Sequence, residues 1–287
     1  MSKQRQKFAL VTGCGQGGIG EALIQEYARK GIHAIATVLP SERSDHLDGL
    51  TSVTWLTLDV TKDDSIRRLL DEISKLTGGY LDVLVNNAGI CYTMTAIDTD
   101  VTCVQRMFDV NVFGPMRMVH HFHPMIIKAA GVIVNIGSVG GLCPYVYGSS
   151  YNATKAALHQ WGNTLRLEMA PFDVRVLTVI SGEIGTNILQ NDRARELPEG
   201  SYFSPLAEDF KKHVQRKIDS TDRHEYAARV VSQSLSLRPP AWFFYGKTTP
   251  IVRFLETFGF RTAWDYILWF MFGFEKLRKA YQASTRI

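Results

Sequence analysis

The sequence predicts an α/β fold, a doubly wound parallel sheet with helices on both faces. Three observations lead there. Short β-branched runs alternate with longer segments of helical period from residue 7 to about 180. No hairpin signal joins any two of these runs, and several are almost continuously apolar, as parallel strands covered on both faces must be. Right-handed crossovers then place helices on both sides of the sheet.

In chain order, strands are expected at Phe8–Thr12, His33–Val38, Val53–Leu58, Leu81–Asn86, Val132–Ile136 and Val174–Ile180. The intervening helices are Glu21–Lys30, Asp63–Leu76, Val101–Ala129 and Tyr151–Met169. After Ile180 the rhythm breaks. Residues 181–225 are polar and charged, as in Asn191-Asp-Arg-Ala-Arg-Glu196, and read as a lid or small helical lobe that gathers substrate. Residues 242–274 hold 13 of the 31 aromatic side chains. The expected organisation is a main domain over 1–250, including the 181–225 insertion, and a C-terminal apolar helical extension over 251–287. Within it, Ala263–Phe274 is apolar nearly all round and then meets Lys276, Arg278 and Lys279. Such a helix either packs internally or lies in a membrane surface with its basic residues at the head groups. Both readings stay open for 251–279, and the stretch is too short to span.

Composition removes several classes of function. With 287 residues, 45% hydrophobic and 21% charged, the chain can bury a large core. A net charge of +4 is too weak to argue for nucleic acid. Cys14, Cys91, Cys103 and Cys143 lie far apart without zinc spacing and read as reduced thiols. His120, His121 and His123 lack the i, i+4 pairing of a helical metal site, so no metal is expected. The leader before Phe8 is short and basic, with no secretory signal. A cytoplasmic place follows, with the apolar tail offering a peripheral one on the endoplasmic reticulum or lipid-droplet surface.

Three motifs carry chemistry. The first strand ends in Thr12-Gly13-Cys14-Gly15-Gln16-Gly17-Gly18-Ile19-Gly20 and enters a helix. Glycines there let the backbone approach a pyrophosphate that meets the helix N-terminus. Asn86-Asn87-Ala88-Gly89 closes the fourth strand, at the edge where open α/β sheets bind ligands. Ser138 follows the fifth strand, and Tyr151 and Lys155 share one helix face, one turn apart. An ammonium beside a phenol favours the phenolate and brings tyrosine within reach of acid–base work. Asn111 is placed to hold a water that connects Lys155 to solvent.

Together these residues resemble the short-chain dehydrogenase/reductase family over nearly all of residues 7–250. The resemblance rests on the glycine turn, Asp59-Val60, Asn86-Asn-Ala-Gly89, Asn111, Ser138 and Tyr151-Asn-Ala-Thr-Lys155. It implies a single Rossmann-type domain assembled as a homodimer or homotetramer through the Tyr151/Lys155 helix. It also implies Tyr151 as general acid–base, Ser138 as hydrogen-bond donor to the substrate oxygen, Lys155 on the nicotinamide ribose, and Asn111 in a proton relay. The implied cofactor residues are Gly13, Gln16, Gly18, Ile19, Gly20, Asp59, Val60, Asn87, Ala88, Gly89, Asn111, Tyr151 and Lys155, followed by Gly182, Ile184 and Thr186. Two departures stand out. The glycine turn is one residue longer than usual, and Ser181-Gly182 replaces the usual Pro-Gly before Thr186.

No acid is found over Ala36–Ser41 at the end of the second strand, where NAD enzymes of this shape carry one. NADP(H) is therefore favoured over NAD(H), with Thr37, Ser41 and Arg43 as candidates for the 2′-phosphate. The segments 147–159 and 165–176 bring the chain nearer to fungal reductases of the 1-acyldihydroxyacetone-phosphate type. Relatives of that shape also reduce ketones in secondary-metabolite pathways. The expected activity is reduction of a ketone on a small hydrophobic substrate. Two alternatives stay open: a cofactor-binding sensor or scaffold without turnover, and a reductase with added isomerase or cyclase activity.

Overall fold

The computed structural model describes residues 5–217, 219–260 and 262–284. Seven parallel strands form one sheet: β1 Phe8–Val11, β2 His33–Val38, β3 Val53–Thr57, β4 Val83–Asn86, β5 Val132–Ile136, β6 Arg175–Ser181 and β7 Trp242–Tyr245. They lie in the order β3-β2-β1-β4-β5-β6-β7. The alternation along β1 shows why the strands are apolar throughout. Ala9 and Val11 face a core shared with α1 (Ile19–Arg29) and α7 (Arg223–Ser234). Phe8 and Leu10 face the opposite core, built with α2 (Asp63–Thr77), α4 (Gly114–Ala129) and α5 (Ser149–Met169).

Strand order reverses between β1 and β4, whose chains leave toward opposite faces. That divergence opens a crevice at the strand C-termini, where open α/β sheets take their ligands. The helix expected over Val101–Ala129 is interrupted. It runs as α3 (Val101–Phe108), a π-helical turn over Asp109–Phe113, and α4. Such single π-turns collect at functional sites, and this one carries Asn111 inward.

The seventh strand was not expected from the sequence. Trp242-Phe-Phe-Tyr245 is a short aromatic run, which suits a pleated, half-buried edge. It pairs with β6, and the Trp242 indole donates to Asn163 of α5 at 2.8 Å. The 181–225 segment is mostly irregular, with two short 3₁₀ turns and α6 (Ala207–Gln215) as its helical parts before α7 begins. The C-terminal helices are α8 (Thr249–Phe258), which packs against β7, α9 (Ala263–Met271) and α10 (Phe274–Ser284). A third core joins the lobe to the last two: Phe210 and Val214 pack with Met94, Tyr147, Leu268 and Phe272, with Trp264 and Phe274 against them. The tail therefore packs internally on one side. Its other side stays exposed, at Phe254, Phe258, Tyr266 and Phe270. Among the described residues no helix is long and apolar enough to cross a membrane.

Candidate active site

The crevice encloses about 1310 Å³ and is lined from the glycine turn to the C-terminal helices. Its first half is made largely of backbone. Gly13 has a φ of 71°, and a Cβ there would stand 2.8 Å from the Ala88 Cα, so the turn needs glycine to pass β4. Asn87 locks the two together, its Nδ2 donating to the carbonyls of Thr12 and Gly13 at 2.8 and 2.9 Å. No side chain caps α1 at Gly18, while the Glu21 carboxylate of its first turn accepts the Gly17 N–H at 2.8 Å, so the helix end faces the cleft with part of its positive charge offset. Gly13, Gln16, Gly18 and Ile19 line this corner, with Asp59, Val60, Asn87, Ala88 and Gly89 beyond it. A glycine cradle, an uncapped helix and a long cleft fit a dinucleotide.

At the centre the crevice meets α5. Tyr151, Lys155 and Ser138 all line it. The Lys155 ammonium stands 5.6 Å from the Tyr151 ring centre and donates to the Ile136 carbonyl at 2.9 Å. Burial brings Lys155 down from 10.5 to about 8. Burial also drives the Tyr151 phenol above its ordinary range, with Cys91 adding to the rise and a hydrogen bond from Ser138 opposing it. This reverses the expected direction. Desolvation dominates, and Lys155, turned toward the Ile136 carbonyl, is not among the groups that shift the phenol. The phenol stands protonated at neutral pH, as any tyrosine does, and the rise by itself makes it a weaker acid.

Asn111 is buried on the π-turn, but its amide is a clamp. Its Nδ2 donates to the Ile90 carbonyl at 2.9 Å and to the Thr154 hydroxyl at 3.0 Å, and its Oδ1 accepts from the Ile90 N–H at 2.9 Å. Both amide N–H groups are thus spent on fixing the strand-end loop to α5, and neither is left for the relay water. His159, two turns after Tyr151, was missed by the sequence reading. Burial pulls it down to about 3, so its neutral Nε2 accepts the Ser138 N–H at 3.2 Å and positions that serine.

The second half of the crevice is side chain. Tyr145, Tyr147, Ile184, Ile188 and Leu189 face Ile251, Val252, Trp264, Ile267 and Met271. Tyr147 holds a left-handed backbone, φ 66°, at a cost of about 1–3 kcal/mol. Its ring is pinned edge-on by Phe210 and Phe272, at centre distances of 4.9 and 5.5 Å. The lid is strapped down by a buried carboxylate. Asp192 accepts from the Thr93 N–H and hydroxyl at 2.9 and 2.8 Å, while Arg195 binds its other oxygen at 2.7 Å. Asn187 reaches across the crevice mouth and donates to the Gln16 carbonyl at 3.2 Å.

Several expected positions fall elsewhere. Thr37 is buried, and its hydroxyl donates to the Val11 carbonyl at 3.2 Å, so it does not face the cleft. Gly20 lies beneath the turn, where a side chain would collide with the Gly13 carbonyl and the Asn87 amide. Arg43 is exposed and paired with Asp45 at 2.9 Å. Asn86 points away and donates to Asn135 at 2.9 Å. Ser41, Gly182, Ile184 and Thr186 do line the crevice. So does Glu42, which overturns the reasoning from an absent acid. The β2–β3 loop folds back and sets its carboxylate 3.5 Å from the position a Gly15 Cβ would take. Glu42 directly follows the acid-free stretch Ala36–Ser41. Among the described residues no group of three or more His, Cys, Asp or Glu side chains could hold a metal.

Comparison with known proteins agrees with this geometry. Residues 7–197 match the family model for short chain dehydrogenase. The chain is 66% identical over 281 residues to the short-chain dehydrogenase fogD of Aspergillus ruber, covering 98% of each chain. It is 40% identical over 206 residues to the NADPH-dependent 1-acyldihydroxyacetone phosphate reductase of Schizosaccharomyces pombe, covering 70% of this chain and 69% of that one. Among solved structures, a closed serine dehydrogenase complexed with NADP+ superposes with a TM-score of 0.70 at 25% identity, covering 84% of this chain and 95% of that one. Since a match across two thirds of the chain coincides with the sheet order and the crevice already described, the chain belongs to the short-chain dehydrogenase family and is an oxidoreductase.

Proposed function

We propose that the chain is a carbonyl reductase acting on a ketone of a hydrophobic substrate, lipid-like or of the fungal secondary-metabolite kind, with Tyr151 as the proton donor. The observation that carries this reading is the grouping of Tyr151, Ser138 and Lys155 at the junction of a dinucleotide-shaped cleft and an apolar one. A bound nicotinamide cofactor supplies the hydride. Ser138 and Tyr151 hold the ketone oxygen, and the Tyr151 hydroxyl gives it the proton as negative charge develops there. Lys155 holds its charge below about pH 8 and stabilises the phenolate left behind. Apolar walls exclude water and take the body of the substrate.

NADPH is the proposed reductant. The name of the Schizosaccharomyces pombe relative and the NADP+ bound to the serine dehydrogenase support it, while Glu42 opposes it through repulsion of a 2′-phosphate. The decisive experiment follows oxidation of NADPH with a panel of hydrophobic ketones. Tyr151→Phe is expected to lower turnover by about a thousandfold with little change in NADPH affinity. Turnover unchanged in that variant would refute the assignment. Tight NADPH binding without oxidation by any ketone would favour the sensor reading.

A further inference from the structure

The apolar half of the crevice contains a guanidinium that the proposed reaction does not use. Arg216, just past the end of α6, is half-buried and lines the cleft with Tyr145, Trp264 and Leu268. Its Nη1 donates to the His213 carbonyl at 2.5 Å, and its plane lies 6.0 Å from the centre of the Tyr145 ring. These contacts fix the group but leave several N–H donors free. Nearby cations are matched: Arg195 binds Asp192, and Lys247 binds Asp219. Among the described residues Arg216 makes no ion pair with any carboxylate.

The groups around it do not neutralise it. His213 is pulled down to about 4 by burial and by Arg216 itself, so it is uncharged near neutral pH. Glu183 also lines the cleft, and burial pushes its carboxyl up while Arg216 pulls it back. Cys91, Tyr151 and Arg216 all line this one space. A half-dry cation without a partner is costly unless a ligand supplies the charge.

We propose that Arg216 is a subsite for a carboxylate of the substrate, so that the ketone reduced at Tyr151 belongs to an apolar keto acid. This rests on the reductase reading and adds a substrate class to it. Arg216 is a single guanidinium with no carboxylate among the described residues in ion-pair contact, and Glu183 on the same wall lowers the positive field, so the site suits one negative charge rather than two. A dianionic phosphate would call for a second cation or a helix N-terminus. The planar fork of arginine also suits two carboxylate oxygens at once.

The test uses the full chain, NADPH and medium-chain oxo-fatty acids that differ in keto position, each beside its methyl ester. At least one acid is expected to show kcat/KM about tenfold above its ester. Arg216→Met should collapse that acid-to-ester ratio to about one, chiefly through KM of the acid. Arg216→Lys should keep part of the ratio, and dinucleotide binding and melting temperature serve as folding controls. Reduction of esters as readily as acids by the wild-type protein would overturn the subsite while leaving the reductase reading intact. So would an equal loss for both in Arg216→Met. Should no ketone be reduced, the reductase reading fails, and binding of the saturated acid and ester, followed by tryptophan fluorescence, decides the subsite alone. Preference for the acid that vanishes in Arg216→Met supports it, and equal affinities sink it.

Discussion

The two halves of the crevice are built by different means. Around Gly13, Gly18 and Asn87 the walls are turns at the ends of buried strands, and the contacts that hold them are backbone or one residue deep. Around Tyr145, Leu189, Arg216 and Trp264 the walls are side chains from four separate stretches, brought together by a small aromatic core. The first half is rigid because the sheet is rigid. The second depends on packing among short helices and on one buried carboxylate that straps the lid.

The sharpest way to break this contrast is Gly13→Ala. The added methyl meets the Ala88 backbone at 2.8 Å on a residue whose φ is 71°, so neither side can yield cheaply. Dinucleotide affinity is expected to fall by about a hundredfold, with the aromatic lobe unaffected. Isothermal titration with NADPH measures the first and near-ultraviolet dichroism the second. Equal damage in both regions would mean that the halves are one cooperative unit.

Asp192→Ala probes the opposite side. Removing the carboxylate strands Arg195 and two donors of Thr93, which lowers the local stability of the lid by about 3 kcal/mol. Hydrogen exchange should accelerate over residues 186–206 while the strands keep their protection. Uniform acceleration would contradict a lid that opens on its own.

A smaller effect is expected from acid. His213 has a folded value of about 4 against an ordinary 6.5, so the unfolded chain binds its proton first and stability falls as pH drops from 6.5 to about 4. His213 packs against Tyr145, Tyr147 and Phe272, so the aromatic lobe should loosen before the sheet. His213→Phe should reduce that sensitivity, as read from melting temperature against pH. The slightest change is expected for Glu42→Gln, which removes a negative charge from the nucleotide corner. Preference for NADPH over NADH should rise by about fivefold. An unchanged ratio would place the 2′-substituent away from Glu42.

How much of this the sequence disclosed follows the same divide. Strand and helix alternation over residues 7–180 made the sheet legible, since parallel strands covered on both faces have little choice of composition. Gly13, Ser138, Tyr151 and Lys155 were legible because turns and one-turn spacings are local. Trp242–Tyr245 was hidden because four aromatics in a row read equally as lobe or strand. Thr37 was misplaced for want of facing: it sits on the strand near the corner but turns into the core. Glu42, His159 and Arg216 act through loop closure and through space, which spacing along the chain does not encode. The rise of the Tyr151 phenol was not legible because desolvation is not written in the spacing of residues along the chain.

The bridge from Asn187 to the Gln16 carbonyl has a kinetic corollary. It ties the lid to the glycine turn after β1, like a bar across a doorway. On the reductase reading a dinucleotide in the crevice leaves past this exposed bridge, so Asn187→Ala is expected to speed its release severalfold, as stopped-flow displacement would show.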